Sequence, residues 1–308
     1  MALPGRPDTP TKLPGRGILV GIILPLVVCA SYLVAHFQKE RALLNRIREI
    51  PLEDRMILED FFRVLILKEG GAYVLFGDKP MAFTAYLHSP QPNLCTTRTW
   101  QSYIENQKIK KGWEVWKKYR GQFPSRRFIL DCRTFDERRS EICLIDAGKL
   151  QHIVKDNLAD FQSVLGRELT PLTLLKEYQQ EESPFFGLVK GHHALLGICL
   201  GFGKMNSWLF HEHAEGMGED PNKVQPVSLK MASMRVPSPK TYPLTSVFRE
   251  SNHRKCFKFL YLPLFAADLN SPETVQLQKR YLCQQQKIHE AYAHENFLEV
   301  TLKRFCFD

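Results

Sequence analysis

The residues best suited to chemistry in this chain are histidines: His192-His193 and, after a short interval, His211-Glu212-His213. Imidazole titrates near neutral pH and ligates metals, and a catalytic Zn²⁺ site takes three protein ligands that converge on one point. An i, i+2 pair shares one face of a strand but diverges on a helix. The surroundings predict helix, so solvated helix ends or core hydrogen bonds are the plainer reading, and no metal is assigned. A further pair, His289 and His294, is spaced i, i+5. That puts the two about 140° apart on a ~3.6-residue turn, where the zincin motif needs i, i+4.

Gly197-Ile-Cys-Leu-Gly201-Phe-Gly203-Lys204 looks like a phosphate loop but misses its spacing. Five residues, not four, precede the Gly-Lys pair, and Met205 stands where Ser or Thr would ligate Mg²⁺. Close helix packing is the expectation. Neither Gly-x-Ser-x-Gly nor a dinucleotide fingerprint occurs, so the sequence identifies no catalytic residue and no cofactor. Gly77-Asp78-Lys79-Pro80 reads as a tight turn after a strand, and Asn206-Ser207 as hydrogen-bonding groups beside the glycine-packed helix. A pocket, if the fold makes one, is expected where these two islands meet, from Asp78, Lys79, His192, His193, Asn206 and His211.

The elements that must position these groups are mainly helices. Apolar residues at three- and four-residue spacing predict a helix over 52–68, ended by Gly70-Gly71. A short strand is expected at 72–76 and helix in two pieces over 97–121, divided at Gly112. The runs 127–133 and 141–146 have strand length and flank a polar stretch, predicting a β-hairpin. Helices follow over 149–165, from Pro171 through Gln180, and in two pieces over 185–215 broken near Gly201 to Gly203. Residues 216–255 hold five prolines and read as a loop, 257–262 as a strand, and 272–293 as a long helix beginning at Ser271. The expected fold class is α+β: an N-terminal transmembrane helix, then a mainly helical body with a small, mostly antiparallel sheet.

The transmembrane expectation rests on residues 17–37, GILVGIILPLVVCASYLVAHF, which carry no formal charge. That length matches the ~20 residues needed to cross ~30 Å of hydrocarbon. A cleaved signal peptide is the alternative, with Arg6, Lys12 and Arg16 as its basic region and Val28-Cys29-Ala30 before the cut. Apolar character continuing through Ala35 favours the anchor. The chain then divides into a basic tail (1–16), a membrane helix (17–37), a juxtamembrane helix (38–50) and one α+β domain (51–308). Lys39, Arg41, Arg46 and Arg48 after the segment lean the body toward the cytoplasmic side. Eight cysteines without a CxxC pair or regular spacing suit reduced thiols.

The mean hydropathy of -0.26 rules against a polytopic transporter, and 44% hydrophobic content rules against a disordered chain. Charge is distributed unevenly. Residues 98–139 hold twelve Lys/Arg against five acids, seven units of the net +9, with Trp100, Tyr103, Trp113, Trp116 and Tyr119 interleaved. A solvated helix with Trp113 and Trp116 facing the core is the plain reading. The functional one is contact with an anionic lipid surface through Lys110, Lys111, Lys117 and Lys118. Nucleic acid is the weaker alternative because a tethered body meets lipid first.

Three islands together resemble a known family: Phe61-Phe62-Arg63 leading into Gly71 to Pro80 (with Phe-Gly-Asp-Lys-Pro), the stretch from Trp113 to Phe128, and Leu195 to Phe210 (LLGICLGFGKMNSWLF). They are similar to uncharacterised membrane-anchored proteins of chlamydia-like bacteria, as islands across residues 60–265. The resemblance implies a bacterial, host-associated origin and supplies no catalytic residue. The leading expectation is a single-pass membrane protein with a binding or structural role. The alternatives are a membrane-tethered hydrolase, metal-dependent or not, and an anionic-lipid-binding module.

Overall fold

The computed structural model describes residues 16–89, 97–180, 184–219, 271–293 and 296–307, with positions 260, 263, 265, 267 and 268; side chains are described from 28 in the first helix, from 102 in the fourth and to 215 in the tenth. The chain divides into two units, Met1–Glu49 and Ile50–Asp308. In the first, helix α1 runs Arg16–Glu49 without a break. Among the described residues no helix is long and apolar enough to cross a membrane. The expected span begins at 17, and its residues 17–27 lie outside those whose side chains are described.

The second unit opens with α2 (Leu52–Phe62), which passes into a π-helical turn, Arg63–Lys68, rather than continuing as one regular helix. Arg63 donates to Glu59 one turn back (Nη2 to Oε1 2.6 Å), both side chains being buried, and its guanidinium lies 4.5 Å from the Phe297 ring centre. The strand expected at 72–76 is instead a helical turn, α3 (Gly71–Leu75), buried at all five positions. A five-residue apolar run buried on every side carries no period to separate strand from helix. The first strand, β1, is Met81–Leu87, so the turn containing Asp78 and Lys79 follows a helix and precedes a strand.

Helix α4 spans Thr97–Tyr119 in one piece. A Cβ on Gly112 would sit 2.2 Å from Cβ of Phe61, so this glycine permits α4 to approach α2 closely and does not break the helix. Trp113 and Trp116 face the core as expected, and with Phe61, Phe62 and Phe123 they form an aromatic layer. Burying each such ring contributes about 1.5–3 kcal/mol.

The hairpin predicted from 127–146 forms: β2 (Phe128–Asp136) pairs antiparallel with β3 (Arg139–Asp146), Ile129 opposite Ile145. Strand β1 pairs antiparallel with the other edge of β3, giving a three-stranded sheet of order β1-β3-β2. The central strand is buried at seven of eight positions, its middle, Ile142 to Ile145, being a continuous apolar run and its buried ends, Ser140, Glu141 and Asp146, polar. Cys143 and Ile145 face a core with Leu150, Phe161, Leu174 and Leu195. These come from α5 (Ala147–Asp156), α6 (Leu158–Leu165), α7 (Pro171–Gln180) and α9 (His193–Cys199), with α8 (Phe185–Leu188) between the last two. The helix expected over 149–165 is thus two, parted at Asn157.

Asp146 ends β3 and caps α5. Its Oδ1 accepts from the Lys149 amide (3.1 Å), and its Oδ2 lies 2.9 Å from both Arg127 Nη2 and Lys149 Nζ. Burial alone would raise its pKa, but the hydrogen bonds from Lys149 and Arg127 outweigh burial and hold the carboxyl below its ordinary range.

Helix α10 (Lys204–Glu219) follows the break at Gly201 to Gly203. Helix α11 (Pro272–Tyr292) begins at the expected cap, Ser271 Oγ accepting from the Thr274 amide, and α12 (Phe297–Phe307), which periodicity did not announce, ends the described chain. The expected strand at 257–262 lies outside the described residues except for 260, and the proline-rich loop lies outside them from 220 on. The architecture is α+β, mostly helical around a small antiparallel sheet.

Candidate functional site

The six residues expected to share a pocket fall into two groups. The first is the junction of the two islands. Gly201 adopts φ +75°, which an L side chain rarely tolerates, and a Cβ there would stand 2.9 Å from Pro80 Cδ. Tyr281 of α11 donates to the Gly201 carbonyl (2.7 Å), pinning the loop. Lys79 is almost wholly enclosed, 3% exposed. Its Nζ donates to the Met81 carbonyl (2.8 Å) and lies 5.3 Å from the Phe202 ring centre. Burial pushes its pKa down to about 7, with the Glu69 charge opposing only in part. Burial likewise raises the Glu69 carboxyl, against the pull of Lys68.

Asn206 belongs to the same junction but is spent on structure. Its Nδ2 donates to the Phe202 carbonyl (3.1 Å) and its Oδ1 accepts from Thr274 Oγ1 (2.9 Å). Asp78 turns outward: its Oδ2 accepts from Gln284 Nε2 (2.6 Å) and lies 3.8 Å from Arg280, its side chain 59% exposed. Together these groups tie α11 to the turn before β1 and to the loop before α10.

The second group is aromatic and imidazole. Gly197 lets α9 and α10 cross closely, since a Cβ there would meet Ser207 Oγ at 2.6 Å. The crossing stacks His192 on His211, ring centres 3.7 Å apart and planes 31° apart, with His193 6.4 Å from His211. Trp208 stands edge-on to both stacked rings, at 5.2 and 5.7 Å. His211 Nε2 lies 3.0 Å from Glu215 Oε1, whereas the buried Nδ1 atoms of His192 and His211 have no partner. Burial, and then the His211 charge, holds His192 below its ordinary pKa. Imidazole lone pairs lie in the ring plane, so rings stacked this nearly parallel do not aim two of them at one ion. Among the described residues no group of three or more His, Cys, Asp or Glu is placed to hold a metal.

The lysines expected to meet an anionic surface lie along α4. Lys111 is exposed. Lys110 donates to the His88 carbonyl (2.8 Å), Lys117 pairs with Glu114 (2.7 Å), and Lys118 pairs with Asp54 (2.9 Å). Hydrogen bonding to Tyr119, then to Asp54, raises the Lys118 pKa.

The basic stretch also builds a feature that no motif signals. Where α4 ends, a cavity of about 460 Å³ opens among Trp116, Arg120, Phe128, Asp131 and Arg133, closed by Tyr178 of α7 and Phe305 of α12. Two of its lining residues, Trp116 and Arg133, each keep one nitrogen, Nε1 and Nε, buried without an acceptor. Tryptophan and arginine at these positions were visible in the sequence; their convergence depends on α7 and α12, some 45 and 170 residues farther along the chain. A second cavity of the same size lies beside Phe135, Arg167, Glu177 and Lys190. Its charges are already matched: Arg167 Nη1 donates to Glu177 (2.8 Å) and Lys190 Nζ to the Leu165 carbonyl (2.6 Å).

No family model, no curated protein and no solved structure matches this chain.

Proposed function

We propose that this chain is a single-pass membrane protein, anchored through residues 17–37, whose body from Ile50 onward serves as a binding module at the membrane surface. The observation that carries the reading is the surface of α1 where its side chains are described. Val28, Tyr32, Leu33, Val34 and Phe37 are each more than half exposed, and at ~100° per residue they cover about two thirds of the helix's circumference. So wide an exposed apolar surface is stable in hydrocarbon and costly in water, by about 1.5–3 kcal/mol for each large side chain. The 21 uncharged residues and the basic residues on either side support the same reading. Those on the C-terminal side favour a cytoplasmic body, and the resemblance to membrane-anchored proteins agrees with the anchor.

Binding is favoured over hydrolysis by how the candidate groups are used. Asp78 is held by Gln284, Lys79 by the Met81 carbonyl and His192 by stacking, so none of them presents a nucleophile to a base. An anionic leaflet is the surface that the exposed Lys111 and its neighbours on α4 would meet. Extraction of membranes with alkaline carbonate tests the anchor: the chain is expected in the pellet, released only by detergent. Recovery in the soluble fraction overturns the proposal.

A further inference from the structure

We propose that two copies of this chain pair through strand β2, joining their three-stranded sheets into one antiparallel sheet. This does not depend on the membrane reading. The two edges of the sheet are finished differently. That of β1 is covered at both ends. Lys79 Nζ donates to the Met81 carbonyl (2.8 Å), and the Asn106 side chain of α4 accepts from the Leu87 amide (2.5 Å) and donates to its carbonyl (3.0 Å). Such cover keeps a strand edge from pairing with another chain.

Among the described residues, β2 is covered only at its start, where Ser125 Oγ accepts from the Phe128 amide (2.9 Å). The Ala147 amide donates to the Arg127 carbonyl (3.0 Å), so in this register Arg127, Ile129, Asp131 and Arg133 bond to β3. Antiparallel pairing alternates, and the amides and carbonyls of Leu130, Cys132 and Thr134 therefore point away from the sheet. Of these groups the Cys132 amide alone has a described partner, the neighbouring Asp131 Oδ1 (2.9 Å). Thr134 is exposed, and Asp131, Cys132 and Arg133 are partly so. Beyond Thr134 the pairing with β3 slips, which confines the open edge to residues 130–134.

The charges along this edge select a second copy as the occupant. Asp131 and Arg133 flank Cys132 on one face of the strand, and the Tyr178 carbonyl holds the guanidinium there (3.1 Å). A second β2, antiparallel about a two-fold axis at Cys132, sets Cys132 opposite Cys132 and Leu130 opposite Thr134, so that outward amides meet outward carbonyls. It also sets each Asp131 opposite Arg133 of the other copy, two pairs of opposite sign. A two-fold contact has to be self-complementary in this way. Moving the axis to either neighbouring residue puts Asp131 against Asp131 or Arg133 against Arg133, so charge fixes the register.

The test uses the full chain, co-expressed with two different affinity tags and purified in detergent or in buffer according to the phase from which it is recovered. Capture through one tag, quantified through the other, reads the association. Wild type is expected to capture itself. Asp131→Arg with itself, and Arg133→Asp with itself, place like charges at both pairs, and each is expected to lose capture at least about tenfold. Asp131→Arg co-expressed with Arg133→Asp restores opposite charges and is expected to recover capture to within about threefold of wild type. Thr134→Pro, at an exposed position whose amide β3 does not use, is expected to weaken capture about tenfold. It keeps the test decisive if a charge variant fails to fold by circular dichroism. Absence of wild-type self-capture overturns the proposal. So does capture that persists in the folded single reversals or in Thr134→Pro, which would place the contact elsewhere in the chain, or a folded pair of reversals that stays apart.

Discussion

Lys79 makes stability depend on pH in a window where few other groups act. Its amine is enclosed, and burial lowers its pKa from 10.5 to about 7 in the folded chain. Between these values the unfolded chain holds a proton that the folded chain has released, so stability rises with pH at about 1.4 kcal/mol per unit. Above pH 9 the buried thiols of Cys132, Cys143 and Cys199 oppose this, because burial raises each of them and the folded chain then holds the extra protons. Glu69, whose raised pKa also opposes the trend, acts from about 4.5 upward. The interval free of these opposing groups is therefore pH 7 to 8.5, with a gain from Lys79 of about 2 kcal/mol. Urea unfolding at half-unit steps, followed by circular dichroism, is the assay. Lys79→Met is expected to cut the rise back to what Lys149, whose pKa burial also lowers, contributes, with Glu69→Gln as the control that separates the carboxylate. A slope that survives unchanged in Lys79→Met refutes the reasoning, because the titrating group would then lie elsewhere.

Three further outcomes are expected. Gly201→Ala, which forces a Cβ to within 2.9 Å of Pro80 at φ +75°, is expected to cost about 2–3 kcal/mol in the same assay. Asp146→Ala removes the α5 cap and strands Arg127 and Lys149, an expected loss of about 3 kcal/mol. In the wild type this contribution is complete above the ordinary aspartate value of 3.8 and is lost as pH falls through the lower folded value. His192 is expected to titrate below 6.5 by NMR, and lower still in Glu215→Gln, whose carboxylate favours the charged ring. A midpoint above 6.5 would contradict the stacked, half-buried geometry of this ring.

Local chemistry made several elements legible. The hairpin of β2 and β3 shows as two apolar runs around polar residues, α7 begins at Thr170-Pro171, and α11 begins at Ser271-Pro272, where the hydroxyl caps the helix as expected. The division at Gly201 to Gly203 also held, because positive φ favours glycine whatever surrounds it. The strand expected at 72–76 failed for the converse reason: Gly71–Leu75 is enclosed on every side, and only its neighbours choose helix. Gly112 misled likewise, since what required glycine there was Phe61 of another helix, not a turn.

For the sites the division is sharper. Residue types alone marked the positive, aromatic character of 98–139, the uncharged run at 17–37 and the adjacency of paired histidines, because charge, hydropathy and spacing are properties of the chain. Tertiary structure decided that His192 stacks on His211, that Lys79 is sealed beside Glu69, and that Trp116 and Arg133 meet around one cavity. Those outcomes depend on which distant segments supply the walls. Tyr178 and Phe305 carry no local pattern that announces the contact, and burial, which sets both the lysine's pKa and the orphaned donors, exists only once the chain has closed around them.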